Sequence, residues 1–208
     1  MSKNKKNTKG EQAPESDLQS AHEWRNKAII LDAGGSHKEA IICYDKAINL
    51  DPHEASIWYY RGKSLHSLGR YEEALGCFDE AARLGGEHAD LWASKGHTLT
   101  SLGFYEDALT CCEKALEGDS RNANTWDTKG VCLFKVHSEE EAIACFEKAL
   151  ELDPNYVTAW CNRGVAEEHL GHKEEAVRSY RKVLALVPTQ VAELVEHARK
   201  RLQEMGDK

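Results

Sequence analysis

The chain lacks any stretch approaching the roughly 18 uninterrupted apolar residues that a membrane helix needs, and it has no Cys-x-x-Cys pair. It also has no Gly-rich phosphate loop, no His-x-x-x-His pair and no Ser or Cys nucleophile set in a recognisable motif. These absences argue against a membrane span, dithiol redox chemistry, nucleotide binding and zinc-assisted hydrolysis. The expectation is therefore a protein that is not an enzyme, with no catalytic residues, no metal and no cofactor. Cations are in the minority: Lys and Arg number 27 against 35 Asp and Glu, for a formal charge of −8. Nucleic-acid affinity comes largely from counterions released as Lys and Arg meet phosphates, so no nucleic-acid partner is expected. The basic start, Met1-Ser2-Lys3-Asn4-Lys5-Lys6, is followed by no apolar segment, and the seven cysteines are an odd number. Free thiols in a reducing cytoplasm, with no membrane partner, are the expectation.

What is present is a period. Tryptophan occurs five times, at Trp24, Trp58, Trp92, Trp126 and Trp160, each 34 residues from the next. The same period carries Ala40, Ala74, Ala108, Ala142 and Ala176, and the column Tyr44, Phe78, Cys112, Phe146 and Tyr180. Gly62, Gly96, Gly130 and Gly164 follow it too, with Ala28 in the first copy, and Pro52, Pro154 and Pro188 close their copies. Within the copy 55–88, Trp58, Leu65 and Leu68 recur at helical spacing, Gly69-Arg70 interrupts them, and Ala74, Leu75, Phe78 and Ala81 resume it. Each copy thus reads as two helices. Gly35, Gly69, Gly103 and Gly171 stand at the interruption, where positive φ ends the first helix, whereas the fourth copy has His137 there. A differently shaped and weaker turn is expected at His137.

The run Trp58…Gly62…Leu65…Gly69…Tyr71…Ala74…Phe78…Ala81, like Trp160…Gly164…Gly171…Ala176…Tyr180…Pro188, resembles the tetratricopeptide repeat. The resemblance covers Ala21 to Gln190. It implies an all-α fold, a right-handed α-solenoid of five helix-turn-helix units at 21–54, 55–88, 89–122, 123–156 and 157–190. A helix pair cannot bury its apolar face alone, so the last copy needs a lid. Val191, Leu194, Val195, Ala198 and Leu202 form one stripe, with Glu193, Glu196, Arg199, Lys200 and Glu204 facing away, so 191–204 is expected to be a capping helix. Residues 1–17, polar and Lys-rich with few apolar side chains, are expected to be a disordered tail.

Several columns invite a chemical reading. Cys43, Cys77, Cys111 and Cys145 repeat at one place, but helices packed about 8–10 Å apart keep equivalent residues out of disulfide or shared-metal reach. The acidic pairs Glu72-Glu73, Glu106-Asp107, Glu140-Glu141 and Glu174-Glu175 open second helices and suit the positive end of the dipole, with Lys46, Lys114, Lys148 and Lys182 expected near the other end. The column Lys27, Arg61, Lys95, Lys129 and Arg163 stands where the family usually has an apolar residue; an intramolecular ion-pair ladder and a stripe for an acidic ligand are both open.

The resemblance implies a groove lined by first helices that grips a peptide or helix of a partner protein. It places that groove on His22, Asn26, Tyr59, Tyr60, Lys63, His66, Asp90, Ser94, His97, Asn124, Asp127, Thr128, Asn162 and His169. Tyrosines offer contact area at little entropic cost, and Asn pairs with a bound backbone. Co-chaperone members clamp a terminal carboxylate with Lys, Asn and Arg from three copies. The corresponding places here hold Arg25, Ile29, Tyr60, Asp90 and Ser94, and the later frames fit no better, so no such clamp is expected. The function that emerges is a protein-protein interaction scaffold or adaptor, a monomer with weak self-association possible; the alternative is an assembly protein that stacks its repeats end to end.

Overall fold

The computed structural model describes residues 15–186 and 192–206. Every described element is helical: α1 (Glu15–Ala33), α2 (His37–Leu50), α3 (Ala55–Ser67), α4 (Tyr71–Arg83), α5 (Ala89–Leu102), α6 (Tyr105–Gly118), α7 (Ala123–Lys135), α8 (Glu139–Leu152), α9 (Val157–His169), α10 (Lys173–Leu186) and α11 (Ala192–Glu204). The first helix starts inside the stretch expected as a tail, at Glu15; residues 1–14 lie outside the described residues. The helices form two compact units, Met1–Gly86 with α1 to α4 and Glu87–Lys208 with α5 to α11.

In the first unit α1 packs on α2, α2 on α3 and α3 on α4. The small-and-large columns explain the packing. Ala40 and Ala74 are fully buried, as are Tyr44 and Phe78 one turn later on the same second helices, so each pair forms part of one packed helix face. Gly62 lets α3 approach that ring: a Cβ there would lie 2.6 Å from Phe78 Cε1. The Trp58 indole N–H donates to the Pro52 carbonyl at 3.0 Å, tying the second pair to the loop that closes the first.

In the second unit the same rules run from α5 to α11. Trp126 and Trp160 donate to the carbonyls of Ser120 and Pro154, both at 2.9 Å. First helices also touch one another, α5 with α7, α7 with α9 and α9 with α11, whereas among the described residues no such contact joins α6 with α8 or α8 with α10. The row of first helices is therefore the inner side of this unit, and the second helices are its outer side. The capping helix closes the stack as its stripe predicts: Ala198 and Leu202 pack with Cys161, Tyr180 and Val183, while Glu193, Glu196, Arg199, Lys200 and Glu204 are exposed. Val191, also assigned to that stripe, lies outside the described residues.

The turn at His137 keeps the common shape instead of a different one. His137 has φ 63°, beside 73° at Gly69, and the closing hydrogen bonds match: Ser138 N–H to Leu133 O and Arg70 N–H to Leu65 O, both 2.9 Å. The interlocking hydrogen bonds of the helix end hold the histidine in the left-handed region at a steric cost that glycine avoids.

One other expectation changes, and one that was open is narrowed. Lys46 and Lys114 do not serve the ends of their helices; each ammonium sits 4.0 Å from an indole centroid, over Trp24 and Trp92 respectively. Three members of the basic column form an ion-pair ladder: Arg61 Nε meets Asp45 at 2.7 Å, Lys129 meets Glu113 at 3.3 Å and Arg163 meets Glu147 at 3.4 Å, each acid coming from the preceding second helix. Lys27, Lys95, Lys129 and Arg163 also lie over the tryptophan of their own helix, so the stems cover indole faces.

Candidate functional site

All fourteen candidate groove residues fall on first helices. In the first unit, His22 and Asn26 are exposed on α1, Lys63 is exposed on α3, and Tyr60 and His66 are half-buried. His22 Nε2 stands 3.2 Å from Glu54, which Arg25 also contacts. The His66 ring packs against Tyr71 at a centroid distance of 5.1 Å and a tilt of 57°. Tyr59 is turned inward at 8% exposure, 6.2 Å from the Phe78 ring, so it fills the core and offers little to a partner.

A hollow of about 300 Å³ opens beside Tyr60 and Lys63, with Ile29 on its wall and Asp32 in its floor. Asp32 is the hub of a small polar network. It accepts from the Tyr44 hydroxyl at 3.0 Å and from Ser64 at 2.6 Å, and it lies 2.9 Å from His37 Nδ1. Burial and the neighbouring carboxylate push the Tyr44 hydroxyl well above its ordinary pKa, so it remains a donor.

The second unit repeats this device at its far end. There Tyr180 donates to Glu168 at 3.2 Å, Arg201 of the capping helix donates to the same carboxylate at 2.9 Å, and the hollow of about 420 Å³ is lined by Val165, Glu168, His169, Tyr180, His197 and Arg201. Copies whose ring is Phe or Cys carry His66, Thr100 or Phe134 at the place of the acid. A buried hydroxyl needs an acceptor and a phenylalanine does not, so acid and tyrosine occur together. The twelve-residue interval from Asp32 to Tyr44 and from Glu168 to Tyr180 is the sequence signal of this pairing, one that the 34-residue columns taken singly do not show.

The other candidates in this unit divide into exposed and buried. Asp90, His97 and Asn124 are exposed and Ser94 is half-buried. Thr128 is buried and donates to the Asn124 carbonyl of its own helix at 2.9 Å, so it is structural. Asp127, only 6% exposed, accepts from Asn162 Nδ2 at 3.0 Å, while Asn124 Nδ2 donates to the Tyr156 hydroxyl at 3.0 Å. Burial pushes the Asp127 carboxyl up to about 6, against the opposing pull of hydrogen bonds from Asn162 and Tyr156. Tyr156, at the start of α9, was not among the candidates, since it lies outside the first-helix columns. His169 is exposed, sits 3.0 Å from Glu139 and makes an edge contact with Phe134.

All seven cysteines are buried. Burial pushes the thiols of Cys145 and Cys161 up to about 11 and that of Cys112 up to about 12, the opposite of what a nucleophile or thiolate ligand requires. Among the described residues, no group of three or more His, Cys, Asp or Glu side chains could hold a metal ion, and no helix is long and apolar enough to cross a membrane.

Helix pairs of one period, stacked through an alanine-and-ring core with a row of first helices on one side, define the helical repeat proteins as a class. The particular family is shown by sequence. A TPR repeat model matches residues 30–69 and 139–171, and tetratricopeptide repeat models match 55–88, 157–190 and 89–122. The chain belongs to the tetratricopeptide repeat family. No curated protein matches it by sequence. Among solved structures it is similar to YrrB, described as a TPR protein with an unusual peptide-binding site, at 27% identity and a TM-score of 0.70, covering 89% of this chain and 98% of that one. PilW, a widely conserved type IV pilus biogenesis factor, matches with a TM-score of 0.81 at 19% identity over 91% of this chain and 87% of that one. MamA from Desulfovibrio magneticus RS-1 matches with a TM-score of 0.73 at 23% identity over 80% and 94%. The last two likenesses concern the fold alone.

Proposed function

We propose that this chain is a non-enzymatic adaptor that receives a peptide segment of a partner protein on its first helices. The observation that carries this reading is the hollow beside Tyr60 and Lys63 in the first unit, open to solvent and floored by Asp32. Tyr60 presents a rigid aromatic face, Lys63 and Asn26 supply polar groups for a bound backbone, and Asp32 is already held by three neighbours, so little ordering is needed on binding. The peptide-binding site attributed to YrrB supports the same reading for a similar chain. A terminal-carboxylate clamp is not part of the proposal, because Ile29, Tyr60, Asp90 and Ser94 stand where its Lys, Asn and Arg would be.

The test is capture from lysate of the native cell with the wild type and with a Tyr60→Ala/Lys63→Ala variant. Loss of specific partners, with an unchanged melting temperature, supports the reading. Capture of the same partners by the variant overturns it. Tyr59→Ala is the contrasting control: buried against Phe78, it lowers the melting temperature as well.

A further inference from the structure

The ion-pair ladder obeys one charge rule, broken once. At the place 34 residues apart held by Asp45, Asp79, Glu113 and Glu147, the fifth copy has Arg181. In the earlier copies this place is an acid, and Asp45, Glu113 and Glu147 each meet a cation of the following first helix. Three residues earlier, Ile42, Gly76, Thr110 and Ala144 give way to Arg178. The fifth copy therefore has its polarity inverted on α10, in a chain whose net charge is −8.

These replacements surround a hollow of about 440 Å³ lined by Trp160, Arg163, Arg178, Arg181, Lys182 and Ala185. It lies on the outer side of the second unit. Trp160 and Asn162 are two residues apart on α9 and so point roughly half a turn from each other, which separates this hollow from the inner candidates. Arg163 is held by Glu147 and by Glu167 at 2.7 Å, and Arg178 by Glu175 at 2.7 Å. Arg181 has a partner as well, and Lys182 is exposed, whereas Lys46 and Lys114, its counterparts in two other copies, lie over their tryptophans.

We infer that this hollow is a second docking site, for an acidic segment of a partner protein that carries carboxylates beside an apolar side chain. The cations at the rim meet the carboxylates, and the indole face of Trp160 with Ala185 meets the apolar group. A peptide fits better than a nucleic acid. Glu147, Glu167 and Glu175 are interleaved with the arginines, so the cations of the rim suit an isolated carboxylate, while the glutamates repel a continuous row of phosphates.

The experiment is fluorescence anisotropy of a short fluorescein-labelled Glu-rich peptide with one central Phe, titrated with the full chain, beside a single-stranded oligonucleotide of similar charge. The variants are Arg181→Glu/Lys182→Glu and Lys182→Glu alone, each checked by thermal melting. Both positions are exposed, so the fold should survive. The proposal expects the peptide to bind, the double variant to weaken it at least about tenfold and the single variant to weaken it less, with affinity falling as salt rises. Tyr60→Ala/Lys63→Ala should leave this binding unchanged, which keeps the outcome independent of the inner groove. No binding of the peptide, equal binding by the charge-reversed chain, or tighter binding of the oligonucleotide would each overturn the proposal.

Discussion

Replacing one repeated glycine at a time gives a quantitative check on how the helix pairs are packed. At Gly130 an added Cβ would lie 2.5 Å from Phe146 Cε1 and 2.8 Å from Cδ1, far inside the roughly 3.5–4.0 Å of an ordinary carbon contact. At Gly96, the same place one copy earlier, the ring is replaced by Cys112 and the nearest atom is its Sγ at 3.2 Å. Both substitutions gain about 1 kcal/mol of helix propensity. Gly130→Ala must also displace a fully packed ring by about 1 Å, an overpacking that costs about 1–3 kcal/mol, whereas Gly96→Ala asks for a few tenths of an ångström. Gly96→Ala is therefore expected to be neutral or slightly stabilising, and Gly130→Ala to be less stable than it by about 2 kcal/mol. The assay is urea unfolding followed by far-UV circular dichroism, which is suitable because both sites lie in the second unit. A double-mutant cycle with Phe146→Cys sharpens it. In that background Gly130→Ala should lose its cost, with a coupling of at least about 1 kcal/mol. Equal effects of the two alanines, or no coupling, would refute the idea that glycine and ring are matched within each copy.

Other outcomes follow from the same geometry. His137→Gly should stabilise the protein by about 1 kcal/mol, since it removes a left-handed side-chain residue without losing the turn's hydrogen bonds, and an unchanged or lower denaturation midpoint would contradict it. Asp127 has a folded pKa raised to about 6 above its ordinary value, so the folded state holds the extra proton between about pH 4 and 6. Its contribution is therefore favourable at the acid side and lost as pH rises through 6; relative to wild type, Asp127→Asn should gain up to about 3 kcal/mol between pH 4 and 7, and a difference independent of pH would refute this. Lys129→Met should change stability by less than about 1 kcal/mol, because its partner Glu113 is largely exposed, and a larger loss in thermal melting would assign the ladder a bigger structural role.

The fold was legible because a 34-residue period repeats the same size rules five times, and each rule has one physical cause. Alanine and ring share one buried helix face, glycine admits the ring, and tryptophan reaches back to the preceding loop. What the columns concealed were exceptions tied to a second residue elsewhere. Tyr59 looked like an anchor, yet it faces Phe78, a fact that depends on the helix's rotation and not on its composition. Asp127 and Thr128 looked like groove surface and are buried, the first satisfied by Asn162 from the next pair. Lys46 and Lys114 looked like helix-end charges, but a long stem reaches an indole first. Identity at one position does not reveal which neighbour it meets, whereas pairs such as Asp32 with Tyr44 do.

The central claim is that neighbouring helix pairs bury each other's inner columns, and the seven cysteines report on it directly because every one is buried. Titration of the native protein with Ellman's reagent should find all seven thiols slow because each is buried, with all of them reacting rapidly only after unfolding in urea. Several thiols reacting at once in plain buffer would contradict the packing on which the whole account is built.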